Sequence, residues 1–238
     1  MEELSVKSKI VQYVKTRCIN KKHVNYEEIA VFRNNYTKFC IFVHKMSKMD
    51  TPEWIRTYSG KKFYVFNPKQ KDIVIEDIAH SLSLICRFTG HTEDLYSVGQ
   101  HSLLVMELCP DEFKLEGLTH DFPEAYITDL ATPVKRKMPN YKEYENNLHT
   151  AIAKKFHLQF PMPKIIKEID QEVFQMEWAY LMERNKKVKS GRFRMEREEF
   201  MILSPKEVEK RIVESFKRLH SERMRKIKTD STYSNIFK

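Results

Sequence analysis

The segment Val98–Leu108, which reads VGQHSLLVMEL, decides the fold of this chain. Its apolar residues Val98, Leu104, Val105 and Leu108 recur at the three- and four-residue spacing of an α-helix with one buried face. The same spacing recurs on either side, at Ile78, Leu82 and Ile85, at Leu148, Ile152 and Phe156, and at Ile165, Ile169, Val173, Phe174, Trp178 and Leu181. The body of the chain is therefore predicted to be an all-α helical bundle.

The pattern before this body is different. Trp54–Tyr58 and Phe63–Phe66 are short aromatic and β-branched runs, and the turn residues Ser59-Gly60 lie between them, which predicts a β-hairpin. Residues 1–50 contain lysines and isolated apolar patches without a clean period. We expect a basic N-terminal extension over 1–50, a compact domain over 51–228 and a frayed tail over 229–238.

The final helix is predicted from its capping residues. Ser204 suits the N-cap, Pro205 the first turn and Glu207 the third position of a capping box. Val208, Ile212, Phe216 and Leu219 then recur on one face. The preceding stretch, 186–192, is rich in lysine and is predicted to be an exposed basic loop.

Composition excludes several classes of protein. The chain has 238 residues, 41% of them hydrophobic, with 5 glycines and 9 prolines, which excludes collagen-like and low-complexity chains. Apolar runs are far shorter than the roughly 20 residues of a membrane span, so no membrane partner is expected. The acidic start Met1-Glu2-Glu3 is unlike a signal peptide, and the four cysteines form no CxxC pair. These features predict a cytoplasmic protein with reduced thiols.

The charge is strongly basic: 42 Lys and Arg face 33 Asp and Glu, a formal net charge of +9. The excess lies mainly in the first fifty residues and after Arg184. Such a surface favours polyanions such as nucleotides or nucleic acid, although a solvated basic surface is the default interpretation of most of these lysines.

Side chains that could bind a metal or take part in catalysis concentrate between positions 101 and 129. His101 begins an amphipathic helix, His120-Asp121 follows nineteen residues later, and Glu124 and Asp129 lie just beyond. On a helix Glu124 would lie one turn from His120, and the short side chain of Asp121 could bend toward a shared ion. His120 and Asp121 therefore suit direct metal contact, with Glu124 beside them.

Asp170 is a further candidate, because it lies within an apolar helical row where an unpaired charge would cost several kcal/mol. Two imidazoles and two carboxylates favour Mn²⁺, Co²⁺, Fe²⁺ or Zn²⁺ over Ca²⁺, and Mg²⁺ stays open. Taken one at a time, each residue has a plainer interpretation: His101 as an ordinary helix histidine, His120-Asp121 as a chance dipeptide and Asp170 as an N-cap.

The order of these residues resembles a known family. His101, His120-Asp121 and Asp170 match the H…HD…D signature of the HD-domain metal-dependent phosphohydrolases, over roughly residues 54–185. Further blocks are similar to the small group that includes YfbR-like 5′-deoxynucleotidases and phage dATP triphosphohydrolases: Asp77–Ser83, Cys86–His91, Tyr96–Ser102, His120–Tyr126 and Thr128–Lys135. Thr128 departs from the glycine common in that group.

The resemblance implies a role for each residue of the motifs. It implies that the metal is held by His101, His120, Asp121 and Asp170. It implies that Glu124 and Asp129 assist the attacking water and the leaving oxygen. It implies further that Arg87 grips phosphate, that Phe88 stacks on or walls the base, and that Lys135 meets a phosphate. A core aromatic is the alternative for Phe88, and an exposed lysine after a turn is the alternative for Lys135.

The function implied is metal-dependent hydrolysis of a deoxynucleotide at its 5′ phosphate ester, releasing deoxynucleoside with phosphate or triphosphate. The expected partners are a small-molecule deoxynucleotide and further copies of the chain in a homo-oligomer, with no nucleic acid. Two alternatives stay open. One is a basic nucleic-acid-binding protein with a degenerate HD site, and the other is a cyclic-nucleotide phosphodiesterase.

Overall fold

A computed structural model describes residues 53–184, 187–190, 193–196 and 201–229. The chain divides into two units after Pro52, and every described residue belongs to the second. The predicted extension over 1–50 and the tail from residue 230 lie outside the described residues. No helix of the described residues is long and apolar enough to cross a membrane.

The described chain is mostly helical, with two small antiparallel hairpins. Its strands are β1 (Trp54–Arg56), β2 (Lys62–Tyr64), β3 (Lys187–Ser190) and β4 (Phe193–Glu196). Its helices are α1 (Ile75–Leu84), α2 (Val98–Leu108), α3 (Lys114–Thr119), α4 (Glu124–Ile127), α5 (Thr132–Lys135), α6 (Tyr141–Phe156), α7 (Lys164–Glu177) and α8 (Pro205–Thr229). A π-helical turn, Trp178–Met182, follows α7 directly. The predicted helical body is thus confirmed.

The predicted N-terminal hairpin is also confirmed. Strands β1 and β2 pair antiparallel, with Trp54 opposite Tyr64 and Arg56 opposite Lys62. Gly60 has φ +84° in the connecting turn, a left-handed conformation that glycine adopts without strain. Phe63 points from β2 into the main core and is fully buried, so the hairpin is anchored on the helical body.

Helix α2 lies at the centre of the domain and packs against α1, α3, α7 and α8. Its close approach to α1 and α8 depends on Gly99, where an added Cβ would lie 2.7 Å from Val208 Cγ1 and 3.1 Å from the backbone of Leu82. Since His101 follows two residues later, this contact fixes the depth at which the histidine enters the core. His101 is fully buried.

Helix α8 begins as its capping residues predict. The Glu207 backbone N–H donates to Ser204 Oγ at 3.3 Å, and the predicted apolar face is buried. The helix covers α1 and α2, and thereby closes the larger of two apolar clusters. The smaller cluster lies between α2 and α7 and includes Val105, Ile169 and Val173.

The predicted basic loop over 186–192 is wrong for the part that the structure describes, because residues 187–190 form β3 and pair with β4, Lys187 opposite Glu196 and Ser190 opposite Phe193. Lysines alternate with Val188 and Ser190 there, which is the period of a strand. The charge of the segment masked that alternation.

Helix α7 has two faces with different environments. One face carries Ile166, Ile169, Val173 and Met176, all fully buried. The periodicity grouped Phe174 and Trp178 with this apolar row, but their exposed fractions are 37% and 43%. Both instead line a cavity that also contains Asp170.

Candidate metal centre

Four of the predicted side chains converge at one point in the domain. The Nε2 atoms of His101 and His120 lie 3.2 Å apart, and Asp170 Oδ1 lies 3.1 Å from the first and 3.8 Å from the second. Asp121 Oδ2 lies 3.1 Å from His120 Nε2 and 3.5 Å from His101 Nε2. Residues separated by up to 69 positions thus direct four potential ligand atoms toward one small volume.

Three helical segments deliver these groups. His101 lies in the first turn of α2, His120-Asp121 follow the last turn of α3, and Asp170 lies in the middle of α7. The contacts of α2 with α3 and α7 are therefore the packing that assembles the site. The ligand atoms of His101, His120 and Asp170 all lie within 4.8 Å of one another, so these three residues form a group that could hold a metal ion. Asp121, the fourth expected ligand, falls outside that group although it lies close to both imidazoles.

The hydrogen bonds of the two imidazoles fix their tautomers. His101 Nδ1 lies 2.6 Å from a Glu177 carboxylate oxygen, and His120 Nδ1 lies 2.8 Å from the Gly117 carbonyl oxygen. Both partners only accept, so each Nδ1 carries the proton and donates it. In the neutral imidazoles both Nε2 atoms then present lone pairs to each other and to the carboxylates of Asp121 and Asp170. Four acceptors facing one another need positive charge between them, from protons or from a metal ion.

The titration behaviour of these groups agrees with that need. Burial would lower the pKa values of His101 and His120, but the surrounding carboxylates outweigh it and raise both. Burial would raise the pKa values of Asp121 and Asp170, but the two histidines lower both, that of Asp121 to about 2. The carboxylates therefore favour positive charge at this point, whether protons or a metal ion supply it. Two imidazoles and two carboxylates are the donor set of a first-row divalent ion, so the residues present fit such a metal.

Glu124 lies beside this cluster, in the first turn of α4. Its side chain is buried, and its Oε2 atom has no hydrogen-bond partner among the described residues. Burial, reinforced by the negative charges of Asp121 and Asp129, raises the pKa of Glu124 well above its usual value. An unpartnered buried carboxylate oxygen of raised basicity is suited to accept a proton from a water molecule.

Asp129 also lines the cavity, and burial raises the pKa of its carboxyl group while Arg87 opposes the shift. Glu124 and Asp129, the two residues expected to assist the reaction, therefore line the same cavity as Asp121. Their roles stay predictions.

Arg87 also lines this cavity, and its side chain is almost fully buried. Its guanidinium lies 2.9 Å from Glu177 Oε2 and 3.9 Å from Asp121 Oδ2. Burial would lower its pKa, but these carboxylates, Glu177 first, outweigh it, so the group stays charged. A fixed cation next to the metal ligands suits the phosphate contact expected of Arg87.

Glu177 is the residue that sequence reasoning missed. Its carboxylate is fully buried and holds three groups at once: His101 Nδ1, the Arg87 guanidinium, and the Tyr96 hydroxyl, which donates at 2.8 Å. It thus orients a candidate metal ligand and the candidate phosphate contact together. An ionisable residue two helical turns after Asp170 was the signal that could have found it.

The remaining predicted residues line the cavity, whose volume is about 550 Å³. Phe88 lies at its wall, half-buried, with the Arg87 guanidinium 5.6 Å from its ring centroid. Lys135 Nζ lies 2.8 Å from Glu145 and 3.9 Å from Glu124. Lys135 is therefore an ion-paired wall residue rather than a freely exposed lysine, and a phosphate would have to compete with Glu145 for it.

The fold and the site define a predominantly helical protein with a buried His/Asp group that could hold a metal ion. No protein-family model matches the chain. It is 46% identical over 117 residues to the uncharacterized protein YfdR of Escherichia coli, across 49% of this chain and 66% of YfdR. It is 37% identical over 123 residues to an uncharacterized protein of Rhodobacter capsulatus, across 48% of this chain and 61% of that protein. The chain thus spans slightly less than two thirds of each relative.

Proposed function

We propose that the chain is a metal-dependent phosphohydrolase of the HD-domain type that cleaves deoxynucleotides at the 5′ phosphate ester. The observation that carries the proposal is the convergence of His101, His120, Asp121 and Asp170 at distances of 3.1–3.8 Å. The same cavity contains an arginine for phosphate and a basic carboxylate for water.

A divalent cation bound there would lower the pKa of a coordinated water and offset the charge of the phosphoryl oxygens. The chain supplies the remaining functions. Arg87 would hold the phosphoryl oxygens in line with that water, since its planar fork matches two oxygens at once. Glu177 fixes the Arg87 guanidinium by their 2.9 Å ion pair, so the phosphate contact is already oriented before substrate arrives.

Glu124 would accept the water proton on the oxygen that has no partner among the described residues. The water oxygen forms the new bond to phosphorus, and the bond from phosphorus to O5′ breaks. Asp129, which lines the same cavity, would in its protonated form donate a proton to the departing O5′. Monophosphate and triphosphate substrates lose the same bond, and they differ only in whether phosphate or triphosphate is released.

Hydrolysis assays test the proposal directly. Purified protein is incubated with Mn²⁺ or Co²⁺ and a panel of deoxynucleoside mono- and triphosphates, and the products are separated chromatographically. We expect deoxynucleoside from at least one substrate class, and none from the double variant His120→Ala/Asp121→Ala. Failure of the wild-type protein to release deoxynucleoside from any substrate would contradict the proposal.

The nucleic-acid-binding alternative makes the opposite prediction for that double variant. A basic surface that tracks phosphates does not use His120 or Asp121, so polynucleotide binding should survive both substitutions. A filter-binding assay on wild-type and variant protein therefore accompanies the hydrolysis assay.

A further inference from the structure

Three aromatic rings form one wall of the cavity. The ring centroid of Phe88 lies 6.0 Å from that of Phe174 and 6.1 Å from that of Trp178, and those of Phe174 and Trp178 lie 6.1 Å apart. We call Phe88, Phe174 and Trp178 the aromatic wall. All three line the same cavity as Asp121 and Asp170.

The aromatic wall is not part of the core. Ile169 and Val173, on the buried face of α7, are fully buried, whereas Phe174 and Trp178 have exposed fractions of 37% and 43%. Large apolar side chains left open together inside a concave site are typical of a ligand-binding surface. The π-helical turn that begins at Trp178 buries Tyr180 while it leaves the indole ring open to the cavity.

The backbone that carries Phe88 is strained. Phe88 and Thr89 have φ values of 52° and 55°, a left-handed conformation that side chains with a Cβ seldom adopt. Two such residues in succession, directly after Arg87, cost free energy. Strain of this kind concentrates at binding sites, where it fixes a side chain in a particular direction.

The order of residues along α7 gives the orientation of the ligand. Asp170 and Phe174 lie on α7, and Trp178 begins the π-helical turn that continues it. The three residues are spaced four positions apart and all line the cavity, and four helical residues rise about 6 Å. The ring of Phe174 therefore begins roughly one helical turn from the metal centre, and that of Trp178 lies one turn further. A sugar separates phosphate from base by a comparable length.

We propose that Phe174 and Trp178 extend the base contact already expected of Phe88 into one stacking surface for the nucleobase of the substrate, with the sugar placed between this wall and the metal centre. This inference rests on the proposed function for the identity of its ligand. It assigns Phe174 and Trp178 to substrate binding. Stacking on aromatic rings accepts every base because each has a π-face, so the subsite recognises the presence of a nucleobase more than the identity of that base.

Intrinsic fluorescence tests the subsite without any need for catalysis. The chain has two tryptophans, so Trp54→Phe leaves Trp178 as the sole indole. This variant is titrated with deoxyadenosine and, separately, with 2-deoxyribose 5-phosphate, which lacks a base. We expect deoxyadenosine to change the emission of Trp178 saturably and the base-free phosphate to leave it unchanged.

A matched pair of substitutions in the Trp54→Phe background locates the effect. Phe174→Ala should weaken deoxyadenosine binding by roughly 5- to 150-fold, the range of one base-stacking contact. Phe66→Ala removes another exposed phenylalanine, one that does not line the cavity, and it should leave binding unchanged. Circular dichroism checks that both variants are folded.

The subsite and the proposed function fail separately. Equal affinity of the parent and Phe174→Ala for deoxyadenosine, or an equal emission change with 2-deoxyribose 5-phosphate, would overturn the subsite. Equal kcat/KM for deoxyadenylate and 2-deoxyribose 5-phosphate would overturn it too, while supporting a phosphohydrolase. Saturable binding of deoxyadenosine by a protein that hydrolyses no nucleotide would support the subsite and contradict the proposed function.

Discussion

The described domain contains two groups of buried charged side chains that differ in how their charge is neutralised. Between α3 and α8, Glu116 and Arg223 form a bidentate ion pair, with Nη2 donating to Oε2 at 2.8 Å, and both side chains are almost fully buried. Glu116 also accepts from the Gln159 backbone N–H at 3.2 Å. Every charge of this pair is matched by an opposite charge from the chain itself. We call it the closed pair.

The candidate metal centre has no such match. Two carboxylates and two imidazole Nε2 atoms face one another, and the Arg87 guanidinium, 3.9 Å from Asp121 Oδ2, is already paired with Glu177. The comparison shows that this domain can neutralise a buried charge with an opposite charge of its own, as it does at Glu116 and Arg223. A buried cluster in which acceptors face one another could therefore hold a metal ion.

The largest expected effect is on catalysis. Glu124→Gln removes the proton acceptor but keeps the size of the side chain, so kcat should fall roughly 100- to 10,000-fold. Stability should not fall, because burial and like charges already disfavour the ionised form of Glu124, as its raised pKa shows. Steady-state kinetics and thermal unfolding measure both quantities.

The control for this substitution is Glu143→Gln, an exposed glutamate of α6, which should change neither quantity. A kcat of Glu124→Gln within a factor of two of wild type would remove Glu124 from the mechanism.

The closed pair should show the reverse behaviour. Arg223→Met leaves the carboxylate of Glu116 buried and unmatched, which should lower the free energy of unfolding by about 3–5 kcal/mol. Metal stoichiometry in the folded protein should stay unchanged. Urea denaturation measures the loss, with the exposed Arg225→Met as control. An equal loss of stability in both variants would show that the pair does not stabilise the fold.

Glu177 belongs to both comparisons. Its charge is paired with Arg87, as in the closed pair, and it also orients His101, a candidate metal ligand. Glu177→Gln weakens the hydrogen bond to His101 Nδ1, and changes of this kind typically cost 10- to 100-fold in metal affinity. Calorimetric titration of metal-stripped protein measures it. Glu214→Gln, an exposed position of α8, serves as control, and wild-type affinity in Glu177→Gln would argue against the orienting role.

The smallest expected effect concerns His220, one turn before Arg223. Burial, and then the charges of His157 and Arg223, lower the pKa of His220 below its usual value near 6.5. The unfolded chain therefore binds a proton more readily than the folded one, and stability is lost as pH falls through about 6.5.

In the protein the ring of His220 stacks on Phe216, with the centroids 5.2 Å apart. His220→Phe keeps a ring in that place and removes the titration. The fall in melting temperature between pH 7.5 and pH 5.5 should become smaller in the variant. An unchanged or steeper fall would contradict a His220 that is neutral in the folded protein.

Local signals explain which parts of the fold were predictable. The helix at Pro205–Thr229 and the hairpin at Trp54–Tyr64 each follow from capping or turn residues within a few positions. The hairpin of β3 and β4 was missed because lysines hid its alternation. The open positions of Phe174 and Trp178 were missed because periodicity gives the face of a helix but not the depth of the neighbouring groove.

The site was predictable in part for a similar reason. His120-Asp121 and Glu124 lie close together in sequence, so their motif is visible without a structure. Glu177 contacts His101 across 76 positions; its place two helical turns after Asp170 marks it as a candidate, but the sequence does not show which residues it contacts. Only tertiary packing shows that one buried carboxylate serves His101, Arg87 and Tyr96 together.

Metal titration of stripped protein tests the central claim most directly, which is that His101, His120, Asp121 and Asp170 share one divalent ion. Mn²⁺ binding is followed by calorimetry in wild type, in Asp170→Asn, and in the exposed control Asp111→Asn. We predict one ion per chain in wild type and the control, and binding weakened at least tenfold in Asp170→Asn. Absence of binding to wild type, or equal affinity in Asp170→Asn, would contradict the shared metal centre.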